Sequence, residues 1–417
     1  MRNVPDPRCD RVKKHDLAEV LTCLVIGYMC GHTTLRRCLA WCERHLLWLR
    51  SGMELKNGIA SVPTASRMLS AIDEELFVYE FTEWISQIVN SRNTHLAIDG
   101  KALRAATAKV KGEQAPMLLH VIDAATKLVL TQYPIDSKDN EIVAIPEVLK
   151  LLDISGSKIT IDAIGTQTAI MKQIQSQGGH FVLLVKRNQP KAFEEIMQLF
   201  CTLKEQKAIR DIGGPGGDPY FQTLLGKYDE EEQFEKNRDR YEYRNYRVCH
   251  EAGCLPKMQK EWPFVSTVGY IGQTRILIVK DEAGNDVTPN RETFLKEGTV
   301  RQPHSTTGDN KTSSNQIMGV VSDLKLTAKD MGSIKRMHWS VENCLHHVLD
   351  DTFREDRSPA KGSRNNLALI RKFAYNLLRI AMIHLSFKRP MTEMMDRFAD
   401  DLDLMGGFVF KGIKSFY

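Results

Sequence analysis

Three carboxylates in this chain stand where short apolar segments can hold them rigidly. Asp99 follows Leu96, Ala97 and Ile98, and Asp162 follows Ile159, Thr160 and Ile161. Glu342 lies far downstream, in the run His338, Trp339, Ser340, Val341, Glu342, Asn343. Two acids on neighbouring strands and a third on a helix can hold a pair of hard divalent cations through oxygen. Cations held in this way can run in-line phosphoryl transfer on nucleic acid.

Alternation along a strand puts Ile98 and Asp99 on opposite faces, and Ile161 and Asp162 likewise. Each aspartate therefore closes an apolar strand and can project past a packed sheet into a cleft. Aspartate also commonly ends a strand simply to form a turn. Asp123 fits that role, because Ala124, Ala125, Thr126 and Lys127 complete a hairpin behind it, and it is set aside. Asp99 fits it less well, since the residues from Gly100 to Arg104 do not return at once to a strand.

The periodicity around Glu342 predicts a helix from about Ile334 to Asp350. Ile334, Met337, Val341, Leu345 and Val348 form its core stripe. Beside them His338, Glu342, His346 and Asp350 recur at four-residue spacing. A polar stripe of this kind suits a solvated face, although the bulky Trp339 and His347 border it. It also suits a single-metal hydrolase with His338, Glu342 and His346 as ligands on one helix face. That second arrangement gives Asp99 and Asp162 no role and lacks the shorter two-histidine spacing of zinc proteases.

The elements that must position these groups are legible in outline. A length of 417 residues leaves room for two or three domains and a sizeable core. Residues 1 to about 90 have helical periodicity, with Asp16 as an N-cap before Leu17, Val20, Leu21 and Leu24. From residue 93 the period changes to strands. Runs at 96–99, 117–123 and 128–133 predict an antiparallel meander, then a helix at 142–152, a strand at 158–162, a helix at 167–176 and a strand at 181–186. That order predicts an α/β domain with a mixed sheet. A helical stretch at 192–201 and the glycine-rich turn 213–217 follow, then short strands at 240–248, 264–270 and 275–279. Residues 297–315 have the polar composition of a mobile loop, and helical periodicity returns from Lys325 to Leu385.

The net charge of +5 permits nucleic-acid binding without announcing it, so local basic patches must make that case. Nine cysteines lack the even, clustered spacing of a disulfide framework. Cys38, Cys42 and His45 could be pressed into a zinc site, but no second cysteine pair follows, and free thiols of a reducing cytoplasm fit better. The N-terminus opens on Arg, Asp and Pro rather than an apolar stretch, so no signal peptide is expected. The longest apolar run, about Leu21 to Gly31, is too short to span a bilayer, and a cytoplasmic protein is expected.

These residues resemble the signatures of DDE transposases of bacterial insertion sequences, in the subgroup that includes the H-repeat-associated proteins. The resemblance rests on Ala97 to Lys101, on Ile161, Asp162 and Ala163 with Gly165 and Gln167, and on His338, Trp339, Val341, Glu342, Asn343, Leu345 and His346. Further matches are Asn140 to Ile142 with Ala144 to Pro146, Lys186 with Asn188 and Gln189, Asp350, and Phe353 to Asp356. Asp6, Pro7 and Arg8 with His15 resemble the start of the family's N-terminal domain. Thr166 stands where the family usually has cysteine, His347 where it usually has tryptophan, and Asp351 where an apolar residue is usual.

The resemblance implies a ribonuclease-H-like mixed-sheet core interrupted by a mainly β insertion. The expected organisation is a helical N-terminal DNA-binding or assembly domain at 1–92, the first part of the core at 93–190 and the insertion at 191–330. Core helices carrying the glutamate follow at 331–390, and a C-terminal tail at 391–417. The spacing agrees, because the 180 residues between Asp162 and Glu342 are too many without an insertion.

It also implies Mg²⁺-dependent (or Mn²⁺-dependent) cleavage at element ends, then attack of the freed 3′-hydroxyl on target DNA. Asp99 would bridge two ions, with Asp162 holding one and Glu342 the other. Asn343, His338 and His346 would support these ligands or meet substrate phosphate. The partners implied are double-stranded DNA, as element terminal repeats and target, and a second copy in a homodimeric active complex, so that a nucleoid-associated location in the cytoplasm is expected.

Phosphate contacts call for basic residues near aromatics. In the strand at 236–247, Arg238, Arg240 and Arg244 share one face with Glu242, while Tyr241 and Tyr243 take the other. Arg240, Glu242, Arg244 and Arg247 match the family's pattern, and Lys101, Lys186, Arg336, Arg371 and Lys372 are further candidates. The acidic run Asp229 to Glu235 beside this strand is equally compatible with a solvated β-ribbon. A catalytically inactive, host-retained DNA-binding protein stays open as an alternative.

Overall fold

Asp16 starts the first helix as its sequence position predicts: its carboxylate accepts a hydrogen bond from the Glu19 amide at 2.9 Å. The structure is a computed structural model describing residues 1–9, 13–102, 117–135, 141–213, 217–237, 240–280, 286–287, 313–357 and 363–411. It divides into two compact units, residues 1–157 with 337–417, and residues 158–336.

In the first unit, helix Leu17–Met29 is apolar nearly all round and buried along most of its length. A helix of that kind belongs inside a bundle rather than on a surface. It packs against helix Leu35–Arg44 and, far along the chain, against helix Arg364–His384. Leu21, Leu24, Phe77, Phe81, Phe373, Met394 and Phe398 belong to one continuous core. The Phe81 and Phe373 rings meet edge to face, 4.7 Å apart. The N-terminal helices therefore share a core with the C-terminal ones, which periodicity read segment by segment does not reveal. The expected C-terminal tail contains two helices, Met391–Asp400 and Leu402–Phe410, whose Met394, Phe398 and Met405 are fully buried.

Three strands of this unit form the expected meander: β1 (His95–Ala102), β2 (Met117–Asp123) and β3 (Val129–Ile135). The register pairs Asp99 with His120. Asp123 is the turn former its sequence implies. Its carboxylate accepts from the Thr126 amide at 3.1 Å, the Thr126 hydroxyl at 2.6 Å and the Thr94 hydroxyl at 2.7 Å.

The second unit opens with a βαβ crossover, in which β4 (Lys158–Ile161) and β5 (His180–Val185) run parallel about helix Thr168–Ser176. Its other strands are β6 (Tyr228–Asn237), β7 (Arg240–Cys249), β8 (Thr267–Leu277), the two-residue β9 (Val279–Lys280) and β10 (Asp286–Val287), and β11 (Ser313–Ser322). The order is β4-β5-β11-β8-β7-β6, with every pair antiparallel except β4 with β5. The strands β6, β7, β8 and β11 thus continue the sheet that β4 and β5 begin, because β11 pairs with β5 on one side and β8 on the other.

Several expectations change here. The strands read at 264–270 and 275–279 are one strand, β8, because β7 and β11 satisfy its backbone on both sides through the polar middle. The acidic run Asp229 to Glu235 is a strand paired with β7, where Glu230 lies opposite Arg247 and Glu235, opposite Glu242, is met by Arg244 at 2.8 Å. Of the loop read at 297–315, residues 313–315 begin β11, and the rest lies outside the described residues, as do Arg238, Asn140 and Arg104. Helix Ala328–Val341 approaches this sheet through glycine: a Cβ on Gly332 would come within 2.9 Å of the Tyr246 ring.

Candidate active site

Leu96, Ala97 and Ile98 are completely buried in β1, and Asp99 is the first residue of that strand to reach solvent, with 31% of its side chain exposed. Its Oδ1 accepts from the Gly100 amide at 3.0 Å. Its Oδ2 lies 3.6 Å from His346 Nδ1.

The segment carrying Glu342 is not the uninterrupted α-helix that four-residue spacing suggests. After Ala328–Val341, residues Glu342–His346 form one π turn, and α-helix resumes at His347–Asp351. Turns of this kind occur frequently at functional sites. The extra residue turns Glu342 and Asn343 outward while His346 and Leu345 stay buried. Downstream of the turn the core stripe continues to Leu349 rather than Val348. The buried Tyr375 hydroxyl lies 2.9 Å from the Cys344 carbonyl, within the turn, and 3.0 Å from the Lys127 carbonyl. Trp339 donates its indole N–H to Glu342 Oε2 at 3.1 Å.

His346 has both ring nitrogens engaged on the strands: Nδ1 faces Asp99, and Nε2 lies 3.3 Å from His120 Nδ1. His346 is buried against the strands while the π turn leaves Glu342 outward, so the two do not share the ligand face that four-residue spacing predicts for a single metal. Burial and then the Lys101 charge lower the His346 imidazole to about 4, and burial drives His120 well below the usual range, so both rings are neutral at physiological pH. His120 was not singled out from sequence; a histidine inside the apolar run Leu118 to Ile122 was its only signal.

Lys101 requires a correction. Only 4% of its side chain is exposed, and its ammonium lies 2.5 Å from Asp350, 3.0 Å from Glu355 and 3.5 Å from Asp356. Glu355 also meets Lys372 at 3.3 Å. Burial raises the Glu355 carboxyl, but Lys372 and Lys101 outweigh it and bring it down to about 2. Lys101, Arg371 and Lys372 are thus interior charges, not the phosphate contacts suggested by sequence.

In the second unit, Asp162 ends β4 at the cap of the short turn Ala163–Gly165. The Lys186 ammonium lies 2.8 Å from its Oδ1, with both side chains about half exposed. Burial raises the Asp162 carboxyl, yet the Lys186 hydrogen bond and charge bring it below the usual value. The segment after β5 clamps the segment after β4: Asn188 donates to the Ala163 carbonyl at 2.8 Å and Gln189 to the Thr166 carbonyl at 2.9 Å. Thr166, where the family usually has cysteine, donates its buried hydroxyl to the Leu184 carbonyl at 2.6 Å.

The family model described as Transposase DDE domain matches residues 90–377, and its companion, DDE_Tnp_1-associated, matches residues 1–85. The chain belongs to the DDE transposase family. YhhI of Escherichia coli strain K12, an H repeat-associated protein, is 29% identical over 406 residues, covering 95% of this chain and 93% of its own. A protein of Xanthobacter autotrophicus encoded in the dhlA 3′ region is 32% identical over 300 residues, covering 71% of this chain and 92% of its own. Among solved structures, a piggyBac transposase synaptic complex with hairpin DNA aligns at 11% identity and a TM-score of 0.37, covering 97% of this chain and 75% of that one. That score is too low to carry an argument.

Family membership makes divalent cations the group to test against these residues. Asp99, Asp162 and Glu342 are hard oxygen donors that all reach solvent, and on Asp162 the Lys186 ammonium already occupies a cation's place. The donor set fits Mg²⁺ or Mn²⁺ better than zinc. Among the described residues no cluster of three or more His, Cys, Asp or Glu side chains is assembled for a metal ion. Cys38 and Cys42 are buried and face the carbonyls of His32 and Cys23, while His45 stacks on Trp41.

The transposase's basic ribbon is built around a buried carboxylate. Glu242 is 2% exposed and contacts Arg240 at 2.6 Å, Arg275 at 3.5 Å and also Arg244. Arg244 reaches Glu235 at 2.8 Å, and Arg336 meets the same Glu235 at 2.6 Å. Four guanidinium groups thus surround two carboxylates, leaving a positive excess on this face. Tyr241 and Tyr243 are buried on the opposite face, as alternation predicts, and Arg247 stacks over Tyr270 at 5.0 Å. Arg275 was not singled out from sequence, because only strand pairing places it opposite Glu242. Among the described residues no helix is long and apolar enough to cross a membrane.

Proposed function

We propose that this transposase cleaves DNA at insertion-sequence ends and joins the freed 3′-hydroxyl to target DNA, with Asp99, Asp162 and Glu342 holding two Mg²⁺ or Mn²⁺ ions. The observation that carries this reading is that all three carboxylates of the family pattern reach solvent from rigid supports: Asp99 on β1, Asp162 at the end of β4 and Glu342 at the π turn. When bound, the ions would activate the attacking oxygen and stabilise the leaving one.

The chain's own residues supply orientation and charge. Asp99, Asp162 and Glu342 would hold the ions through their carboxylate oxygens, and the Trp339 indole N–H orients the Glu342 carboxylate. Lys186 keeps Asp162 ionised and offers an ammonium to substrate phosphate. Arg240, Arg244, Arg247 and Arg336 present positive charge to the DNA backbone, with Arg240 and Arg336 the more exposed. Residues 1–92 serve end binding and assembly of a homodimer, residues 93–190 and 331–390 form the ribonuclease-H-like core, and 191–330 its insertion.

The test is to incubate the full chain with DNA carrying the native element ends and Mg²⁺. Strand breaks at the ends support the reading. Binding without breaks, under conditions that support related enzymes, favours the catalytically inactive DNA-binding alternative.

A further inference from the structure

His120 lies on β2 directly opposite Asp99, and cross-strand partners present their side chains on one face. It is completely buried among Leu118, Leu119, Val121 and Ile122. A polar ring in such a place costs free energy unless it is hydrogen-bonded, and an apolar residue would fill the space more cheaply. The partner it has is His346, whose Nε2 lies 3.3 Å from His120 Nδ1, with ring centroids 5.4 Å apart. His346 in turn directs Nδ1 at Asp99 Oδ2, 3.6 Å away. That gap is slightly longer than a hydrogen bond, and contacts of this kind often tighten only when the substrate complex forms.

The order of protons along this line follows from the donors available. A carboxylate only accepts, and a neutral imidazole carries one N–H. An attractive contact with Asp99 places the His346 proton on Nδ1, leaving Nε2 as an acceptor. His120 must then present Nδ1–H to it. Its own Nε2 is buried with no hydrogen-bond partner among the described residues, so nothing there favours the opposite tautomer.

We propose that His120 is a positioning residue that fixes the tautomer and orientation of His346 and, through it, aims the Asp99 carboxylate at the bound cation. The inference rests on the reading of Asp99 as a metal ligand. It assigns His120 a role beyond packing: partners one step removed from a metal ligand set its direction and basicity.

Calorimetric titration of the full chain with MnCl₂ tests this in the wild type and in Asp99→Asn, His120→Leu and His120→Asn. His120→Leu should weaken Mn²⁺ binding about tenfold or more, whereas His120→Asn, which keeps an N–H donor, should stay within about threefold. Wild-type affinity in His120→Leu alongside a loss in Asp99→Asn overturns the proposal, as does an equal loss in both His120 variants. Identical Mn²⁺ binding by wild type and Asp99→Asn, or none by either, removes Asp99 as a ligand and this proposal with it. Long-range ¹⁵N–¹H spectra of the histidine-labelled wild type decide the point even where a variant does not fold. They should show His346 protonated on Nδ1, and protonation on Nε2 overturns the relay.

Discussion

Lys186 holds its ammonium 2.8 Å from Asp162 Oδ1 at the mouth of the β4–β5 crossover. Burial alone would raise the Asp162 carboxyl, and the lysine more than reverses that. The contact also places a phosphate-seeking cation beside one of the three acids. Lys186→Met should change folding stability by no more than about 1 kcal/mol, since the pair is half exposed. The same variant should lower DNA affinity and reduce the salt slope of binding by about one. Equilibrium urea unfolding and DNA binding at several salt concentrations measure the two effects; an unchanged slope would leave Lys186 with a purely local role.

Asp99→Asn separates chemistry from binding. The substitution keeps the side chain's shape and removes the charge with which Asp99 would help hold the cations. Cleavage of end-containing DNA should fall by orders of magnitude. DNA affinity measured without Mg²⁺ should hold or rise slightly, because a carboxylate that repels phosphate has been neutralised. Cleavage at the wild-type rate would sink the proposed mechanism while leaving the fold intact.

The ribbon arginines should not behave alike. Arg244 is mostly buried between Glu242 and Glu235, whereas 40% of the Arg240 side chain is exposed. Arg244→Ala removes a largely buried guanidinium that links Glu242 to Glu235 and should cost about 3 kcal/mol of stability. Arg240→Ala should cost less than about 1 kcal/mol and so report on DNA binding cleanly. Chemical denaturation compared with the salt dependence of DNA affinity tells the two apart; equal stability losses would contradict the burial argument.

Acid should attack the interior cluster through Glu355. Its folded pKa, about 2, lies below the unfolded value near 4.3, so its contribution is fully present above the unfolded value and fades as pH falls through the folded one. The loss should be on the order of 3 kcal/mol between about pH 5 and 2. Lys372 acts in the opposite sense. Burial, only partly offset by Glu355, lowers it to about 8. Its charged form therefore opposes folding below that pH, and the penalty lifts as pH rises from about 8 toward the unfolded value near 10.4. Unfolding free energies measured across this range should show a shallower acid-side slope in Glu355→Gln than in the wild type, because Asp162 and Glu242 keep their own share of it.

Much of this protein could be read without coordinates, because local rules decide it. The Asp16 cap, the meander of β1, β2 and β3, the turn role of Asp123 and the β4–β5 crossover all follow from periods of two or 3.6 and from turn chemistry. The strand-end positions of Asp99 and Asp162 follow from alternation, whereas singling out these acids together with Glu342 rests on the family resemblance. Other features depend on residues distant in sequence, and no local pattern holds them. The π turn at Glu342 needs a core stripe and the Tyr375 hydroxyl from another helix. Lys101 reads as a surface cation until Asp350, Glu355 and Asp356 close around it. Glu242 reads as a lone acid among arginines until pairing brings Arg275 from β8. His120 reads as a polar interruption of an apolar strand until His346 arrives 226 residues later to bond it. Burial and charge pairing are properties of the assembled neighbourhood, so tertiary structure alone decided which of these charges face solvent and which support the site.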